Sequence, residues 1–299
     1  MFILIRTAII FILFIITTAA LAGDIKDKIS SEFYSKINNF SQNFGSGLAE
    51  SLNSFENLEY LDISLNIQEG LKPTLEIQSV TRIHEYSDGA FFNQLNLLSQ
   101  DKKNTINLGF GNRKFYSNDE LMLGANTFLD YQSEQSHLRY GLGFEAISNS
   151  IDFIANYYNA ISGFKTTIDG SEKALDGYDF KLNYHLSDVT KTDLFVEIFE
   201  WKNPNSSFKE KGEKFGLSSM IGNFSLQAGY LNSDKNNDGF FGSLKLIIPL
   251  GETKELLVKN KNNKKIENKS VRDKLYMPVQ RENKIKLVKL SSGVKVSGF

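Results

Sequence analysis

Apolar and polar side chains alternate along most of the chain between residues 58 and 250. In Leu138–Ser148, the apolar Leu138, Tyr140, Leu142, Phe144 and Ala146 alternate with Arg139, Gly141, Gly143 and Glu145. Successive side chains on a strand point to opposite faces, so one face here is apolar and the other is glycine and charge. Ile106–Ser148 as a whole reads as three such strands joined by turns. The same period predicts twelve strands: Leu58–Glu69, Leu71–Glu85, Gly89–Ser99, Thr105–Tyr116, Glu120–Tyr131, Leu138–Ser148, Ile151–Ser162, Leu175–Ser187, Lys191–Lys202, Glu213–Ile221, Asn223–Ser233 and Gly239–Leu250. Each is close to the ~9–11 residues that a tilted strand needs to cross a bilayer.

Alternation alone does not name the solvent, because a soluble sandwich alternates too. The connections discriminate. Turns after even-numbered strands are tight: Tyr86-Ser87-Asp88, Ser117-Asn118-Asp119, Asn149-Ser150, Asp188-Val189-Thr190 and Gly222. Those after odd-numbered strands are longer: Gln100–Asn104, Gln132–His137, Gly163–Ala174, Asn203–Gly212 and Asp234–Asp238, with Gly70 alone after the first strand as the exception. Short turns at one end and longer loops at the other are the habit of outer-membrane barrels. The expected fold is therefore all-β, an antiparallel transmembrane β-barrel of about twelve strands, with the loops after odd strands outside. On that barrel Tyr178, Phe180, Leu182 and Tyr184 face lipid, while Asp179, Lys181, Asn183 and His185 face the lumen. In the last strand Phe240, Leu244, Leu246, Ile248 and Leu250 face out and Lys245 faces in.

Composition is compatible with this. The chain has 299 residues, 41% of them hydrophobic, with 24 Phe and 12 Tyr, and no Cys. No window after the N-terminus approaches the ~18 apolar residues of a spanning helix, which leaves strands as the way across a membrane. Without Cys there is no disulfide framework, thiol nucleophile or thiolate metal site. Residues 1–22 have the form of an export signal: Arg6, an apolar stretch Thr7–Thr18, and Ala20-Leu21-Ala22 before Gly23. A retained anchor helix is the alternative. Residues 23–57 form a polar leader in which Ile25, Ile29, Phe33, Ile37 and Phe40 recur at helical spacing, interrupted by Gly45-Ser46-Gly47. It is expected outside the main fold, as a periplasmic segment or a plug.

The barrel occupies residues 58–250, and charge changes after it. Residues 251–299 carry 13 basic against 5 acidic side chains, a balance of +8 in a chain whose total is −1. A basic extension behind an acidic body can thread an acidic lumen, bind anionic headgroups, or remain a solvated linker. Within it, Val271–Leu290 regains apolar spacing and reads as partly ordered.

Three blocks carry a family likeness: Leu108–Arg113 (LGFGNR), Met122–Tyr131 (MLGANTFLDY) and Arg139–Ala146 (RYGLGFEA). Ala155–Tyr158, Gly177–Phe180 and the series Arg272, Tyr276 and Val279–Asn283 add to it. Together they resemble the β-barrel domain of the intimin/invasin family, the inverse autotransporters, over about residues 58–290. The most specific block is MLGANTFLDY. The resemblance marks Gly109, Gly111, Arg113, Gly124, Asn126, Phe128, Asp130, Tyr131, Gly141, Gly143 and Glu145 as signature positions of the barrel. It implies a twelve-stranded outer-membrane barrel with a periplasmic N-terminus, and a linker that runs from the last strand back through the pore to export a C-terminal adhesin. Residues 251–290 match the linker's position. Family members usually continue into immunoglobulin-like domains, whereas this sequence stops at Phe299, so a barrel without that passenger is expected.

Chemistry of other kinds finds little support. The histidines His84, His137 and His185 lie far apart, without the i, i+4 spacing of a zinc helix. The cluster His137, Asp130 and Ser136 is the only hydrolase-like grouping of neighbours, and no motif accompanies it. Asp234–Gly239 begins like an EF-hand loop but places Lys245 where the bidentate Glu belongs. Gly109-Phe110-Gly111 and Gly141-Leu142-Gly143 sit inside strands, not before helices, so they cradle no phosphate. The expectation is a translocator and anchor that displays its own C-terminal segment; the alternative is a passive pore with the tail or leader as plug. A soluble periplasmic β-protein is the third class. No cofactor, metal, catalysis or nucleic-acid partner is expected. Expected partners are outer-membrane lipid, the barrel-assembly machinery and periplasmic chaperones; peptidoglycan or surface-receptor contact stays open.

Overall fold

The computed structural model describes residues 57–167, 170–187, 191–235, 238–248, 250 and 270–291. The signal, nearly all of the leader and residues 251–269 and 292–299 lie outside the described residues. Among the described residues fifteen strands follow one another: β1 Leu58–Gln68, β2 Thr74–Tyr86, β3 Gly89–Gln100, β4 Lys103–Tyr116, β5 Leu121–Gln132, β6 His137–Ser148, β7 Ile151–Ala160, β8 Lys165–Thr167, β9 Gly170–Ala174, β10 Asp176–Ser187, β11 Thr192–Lys202, β12 Lys209–Ile221, β13 Phe224–Ser233, β14 Gly239–Ile248 and β15 Leu287–Ser291. Twelve of them, β1–β7 and β10–β14, close into one antiparallel barrel, with each predicted strand present in order. β1 meets β14 in an unbroken register from Leu61↔Ile248 to Gln68↔Phe241. The remaining strands form a separate sheet in the order β15-β9-β8.

The barrel is apolar outside and polar within. Leu142 is 52% exposed, and Phe144, Phe180, Leu182 and Tyr184 share that outer surface, while Arg139, Asp130, Glu145, Asp179 and Asn183 are buried inside. In water such an outer face would be a large exposed apolar patch; in a bilayer it is the solvated face. Two outward predictions need correcting. Ile248 and Leu250 are buried and cluster with Leu58 and Leu61 at the seam where the barrel closes, whereas Phe240 and Leu244 on the same strand are exposed. Protein packing, not lipid, covers the end of that strand.

Some connections also differ from expectation. The second strand begins at Thr74, not Leu71, because Pro73 has no N–H for the ladder and Gly70 turns the chain at φ +76°. The first connection therefore has five residues, which removes the exception noted above. Conversely β3 and β4 are joined by Asp101 and Lys102 alone, both at positive φ as in a tight primed hairpin turn. The loop before the predicted tenth strand is shorter as well, since β12 starts at Lys209. The long connection after β7 is not a bare loop, for it contains β8 and β9.

Glycines on inward positions let large side chains lie across the wall. A Cβ on Gly109 would collide with the Phe128 ring, and one on Gly111 with the Phe92 ring. Those rings fill the lumen beside the barrel wall, and their burial against it forms part of the internal apolar cluster.

Candidate functional site: a polypeptide in the lumen

Residues 270–291 enter the barrel at the end that carries the short turns and leave at the loop end. Entry is fixed by backbone and side chain together. Val271 N donates to Asp119 O at 2.7 Å. Arg272 Nε reaches Asp119 Oδ2 at 2.8 Å and its Nη2 reaches Ser87 O at 2.9 Å. A short 3-10 turn, Arg272–Lys274, follows. Lys274 Nζ then donates to Ser148 O at 2.9 Å and Asp152 Oδ1 at 3.2 Å. Ser87, Asp119 and Ser148 belong to three successive short-turn regions, so the segment is moored along the β2–β7 side of that rim.

Deeper in, the inward side chains of β2–β7 hold the segment by its main chain. Arg113 Nη1 donates to Lys274 O, Leu275 O and Met277 O at 3.4, 2.7 and 2.5 Å. Asn156 Nδ2 donates to Gln280 O at 3.0 Å, and Asn107 Nδ2 to Asn283 O at 3.0 Å. Arg139 donates to Glu282 O at 2.7 Å and Lys284 O at 3.3 Å. Gln94 Oε1 accepts from Val279 N at 2.8 Å and the Tyr158 hydroxyl from Glu282 N at 2.7 Å. The stretch between the 3-10 turn and β15 has no ladder of its own and must place its N–H and C=O groups elsewhere, and here the barrel wall supplies partners.

Side-chain pairs add specificity. Arg281 binds Asp130 in a fork, Nη1 to Oδ1 and Nη2 to Oδ2, both at 2.8 Å. The two side chains are 1% and 0% exposed. Arg139 Nε reaches the same carboxylate at 2.7 Å. Arg281 also lies over the Phe128 ring, 4.2 Å from its centroid. Arg113 pairs with Glu145 at 2.8 Å, which keeps its guanidinium aimed at the segment's carbonyls. Tyr276 donates to Glu85, and Asn283 to Glu76, at 2.8 and 2.7 Å. A planar guanidinium suits both tasks, since it offers five donors in a fixed fork and cannot lose its charge.

The signature positions sort around this segment. Arg113, Asp130 and Glu145 form its polar cradle. Gly141 leaves room for Arg281, Gly143 for Asn126 and Asn156, and Gly124 for Glu145 and Arg113, each being a place where a Cβ would crowd those groups. Gly109, Gly111 and Phe128 shape the adjoining wall, while Tyr131 alone points outward and is exposed. The predicted neighbours His137, Asp130 and Ser136 do not converge. His137 contacts Ser162 and Glu172, Ser136 contacts Tyr131, and Asp130 is taken by the arginines and Asn107. His185 lies with Asp152 and Asp193, and His84 packs against Tyr86. Among the described residues no group of His and carboxylates is arranged to hold a metal ion.

Several contributors were not singled out from the sequence as site residues. Gln94, Asn107, Arg139 and Asn156 are all inward by alternation; Arg139 and Asn156 also fall in the blocks of family likeness, whereas for Gln94 and Asn107 parity is the signal the sequence offers. Between the segment and the strands β1, β2 and β10–β14 the lumen keeps a cavity of about 1210 Å³, bordered by the segment itself and, from β11–β14, by Phe195, Ser218, Gln227, Ser243 and Lys245.

A closed barrel that is apolar outside, with a peptide through its polar interior, is an outer-membrane β-barrel. Residues 17–283 match the inverse autotransporter β-domain, and the chain belongs to that family. The family is one of outer-membrane barrels, not of enzymes. A curated relative, a putative attaching and effacing protein homolog of Escherichia coli (strain K12), is 30% identical over 125 residues, covering 39% of this chain and 42% of that protein. The match thus takes in less than half of the relative's length. Among solved structures, one determined in work on the in-meso crystallization of membrane proteins has a TM-score of 0.63 at 20% identity, covering 76% of this chain and 98% of the other. That likeness is one of fold. The KdgM porin is more distant, with a TM-score of 0.45 at 12% identity over 63% of this chain and 98% of its own.

Proposed function

We propose that this barrel is a translocator and anchor that carries its own C-terminal segment across the outer membrane and presents the residues beyond Ser291 at the cell surface. The short-turn end then faces the periplasm and the loop end the exterior. The observation that carries this reading is the passage of residues 270–291 through the lumen, bound at both rims and along its length. Arg113, Arg139, Asn107 and Asn156 grip carbonyl oxygens, which every residue of a moving chain offers, so the wall suits a polypeptide in transit. The Arg281–Asp130 fork and the Tyr276 and Asn283 bonds then suit a resting position. Residues 1–22 serve as the export signal in this reading, with periplasmic chaperones and the barrel-assembly machinery delivering the chain. Gly109, Gly111, Gly124, Gly141 and Gly143 keep the wall shallow enough for the segment.

An epitope tag placed after Phe299 tests it. Antibody binding to intact cells is the expected result; binding only after permeabilisation would overturn the reading. In planar bilayers the full chain should conduct little, and deletion of residues 251–299 should open it. An equally open channel in both would favour a passive pore, for which the cavity beside β11–β14 is the structural argument.

A further inference from the structure

At the loop end, the connection between β7 and β10 folds into the hairpin β8–β9, and β15 of the luminal segment adds to the free edge of β9. The pairing is antiparallel and regular, from Leu287↔Ala174 through Val288↔Lys173 to Ser291↔Gly170. It is continued inward by Leu175 N donating to Lys286 O at 2.9 Å. The hairpin is fastened to the barrel rim. Glu172, 1% exposed, lies 3.1 Å from His137 Nε2 on β6 and 3.3 Å from Lys103 Nζ on β4. Lys173 is bonded to Asn205 in the β11–β12 loop and stands over the Phe164 ring. Beneath the hairpin, Val288 is buried in a cup of Tyr158, Leu175, Phe199, Trp201 and Leu231.

We propose that this rim hairpin is an acceptor site for polypeptide in transit: β9 receives an extended chain by strand addition, and the aromatic cup around Val288 sets the register in which the chain comes to rest. This rests on the export reading above. Strand addition binds through main-chain groups and is blind to sequence, whereas pockets for alternate side chains select it. Residues passing the rim therefore pair with β9 whatever they are. Only one that places an apolar side chain over the cup buries it there, and a β-branched valine is already disposed to the extended backbone that the ladder needs. The hairpin is held by His137, Lys103 and Asn205, not by the passing chain, so the acceptor edge stands independently of what occupies it.

The absence of Cys makes a disulfide trap clean. Ala174 and Leu287 face each other one step from the Leu175–Lys286 hydrogen bond, the position where antiparallel Cα atoms approach to ~4.5 Å, within disulfide reach. The full chain with Ala174→Cys and Leu287→Cys should oxidise to one crosslinked species in outer membranes. Adding Val288→Asp should lower the yield by about fivefold or more, because a carboxylate loses its hydration in the cup. Adding Lys289→Gln, an uncharged change at an exposed position, should leave the yield unchanged. Heat-modifiable gel mobility identifies folded barrels, and the tag after Phe299 reports threading. A surface tag on a folded barrel without the crosslink would overturn the acceptor and leave export standing. A crosslink indifferent to Val288→Asp would overturn the role of the cup. A tag hidden inside would overturn the export reading and the acceptor with it.

Discussion

The two walls of the lumen are built from the same alternation yet treat the luminal segment differently. From β2 to β7 the inward residues are long donors and acceptors with glycines between them: Glu76, Gln94, Asn107, Arg113, Asp130, Arg139, Asn156. Each of these seven has a bond to residues 270–291. From β11 to β14, away from the rim where Phe199, Trp201 and Leu231 pack around Val288, inward residues such as Ser218, Gln227, Ser243 and Lys245 border the cavity instead of the segment's main chain. Among the described residues the ion pair that reaches across from this wall is Lys214–Glu282, at 3.9 Å. The difference teaches that a polar lumen is not by itself a binding surface. What makes one is the pairing of guanidinium groups with carboxylates that hold them pointed inward, beside glycines that leave room for the chain they grip.

The most severe test of that contrast is Asp130→Ala. It strips the partner from two buried guanidinium groups, Arg139 and Arg281. Breaking a buried pair by removing one member costs about 3–5 kcal/mol. We expect the segment to leave its berth, seen as new protease cleavage between residues 270 and 291 in outer membranes and a rise in single-channel conductance. Unchanged protection would mean that the backbone contacts suffice alone.

Next in size is an attack on the outer face. Leu142→Arg places a charge on the lipid side, at a cost of about 2–4 kcal/mol near mid-bilayer. It should reduce the heat-modifiable, folded species far more than the adjacent inward change Gly141→Ser. The latter crowds Arg281, so its effect should appear in segment protection instead of assembly. Equal gel behaviour of the two would contradict the assignment of faces.

The smallest effect should come from the open wall. Gln227→Ala, beside the cavity, should shift stability by less than ~0.5 kcal/mol in a denaturant titration in detergent, and leave protease protection as it was. A loss of protection comparable to that of Asp130→Ala would erase the distinction between the walls.

How much of this could be read from the sequence depends on how far apart the cooperating residues lie. The strand at 138–148 shows itself because Leu142 and Gly141 are neighbours with opposite solvents, and that contrast is written in consecutive letters. The twelve strands and most faces follow from the same period. Ile248 and Leu250 went astray because the seam packs Leu58 and Leu61 against them, residues almost two hundred positions away. β9 reads as loop because Gly170–Ala174 shows no apolar alternation, and although β8 pairs with one of its edges from nearby, the partner on its other edge, β15, comes more than a hundred residues later. The Arg281–Asp130 fork joins positions 151 apart. Both members lie in blocks that resemble the inverse autotransporters, but nothing in their spacing pairs them.

The sequence by itself thus determined an inside-out barrel: strand number, the lipid and lumen faces, the basic charge of the extension, and the absence of any thiol chemistry. Those properties are local, set by a two-residue period and by composition. Only the tertiary structure decided that residues 270–291 lie within the lumen, which wall grips them, and where β9 meets them at the rim. Each of those is a contact between distant parts of the chain, and it exists only once closure of β1 on β14 has made an interior to bind in.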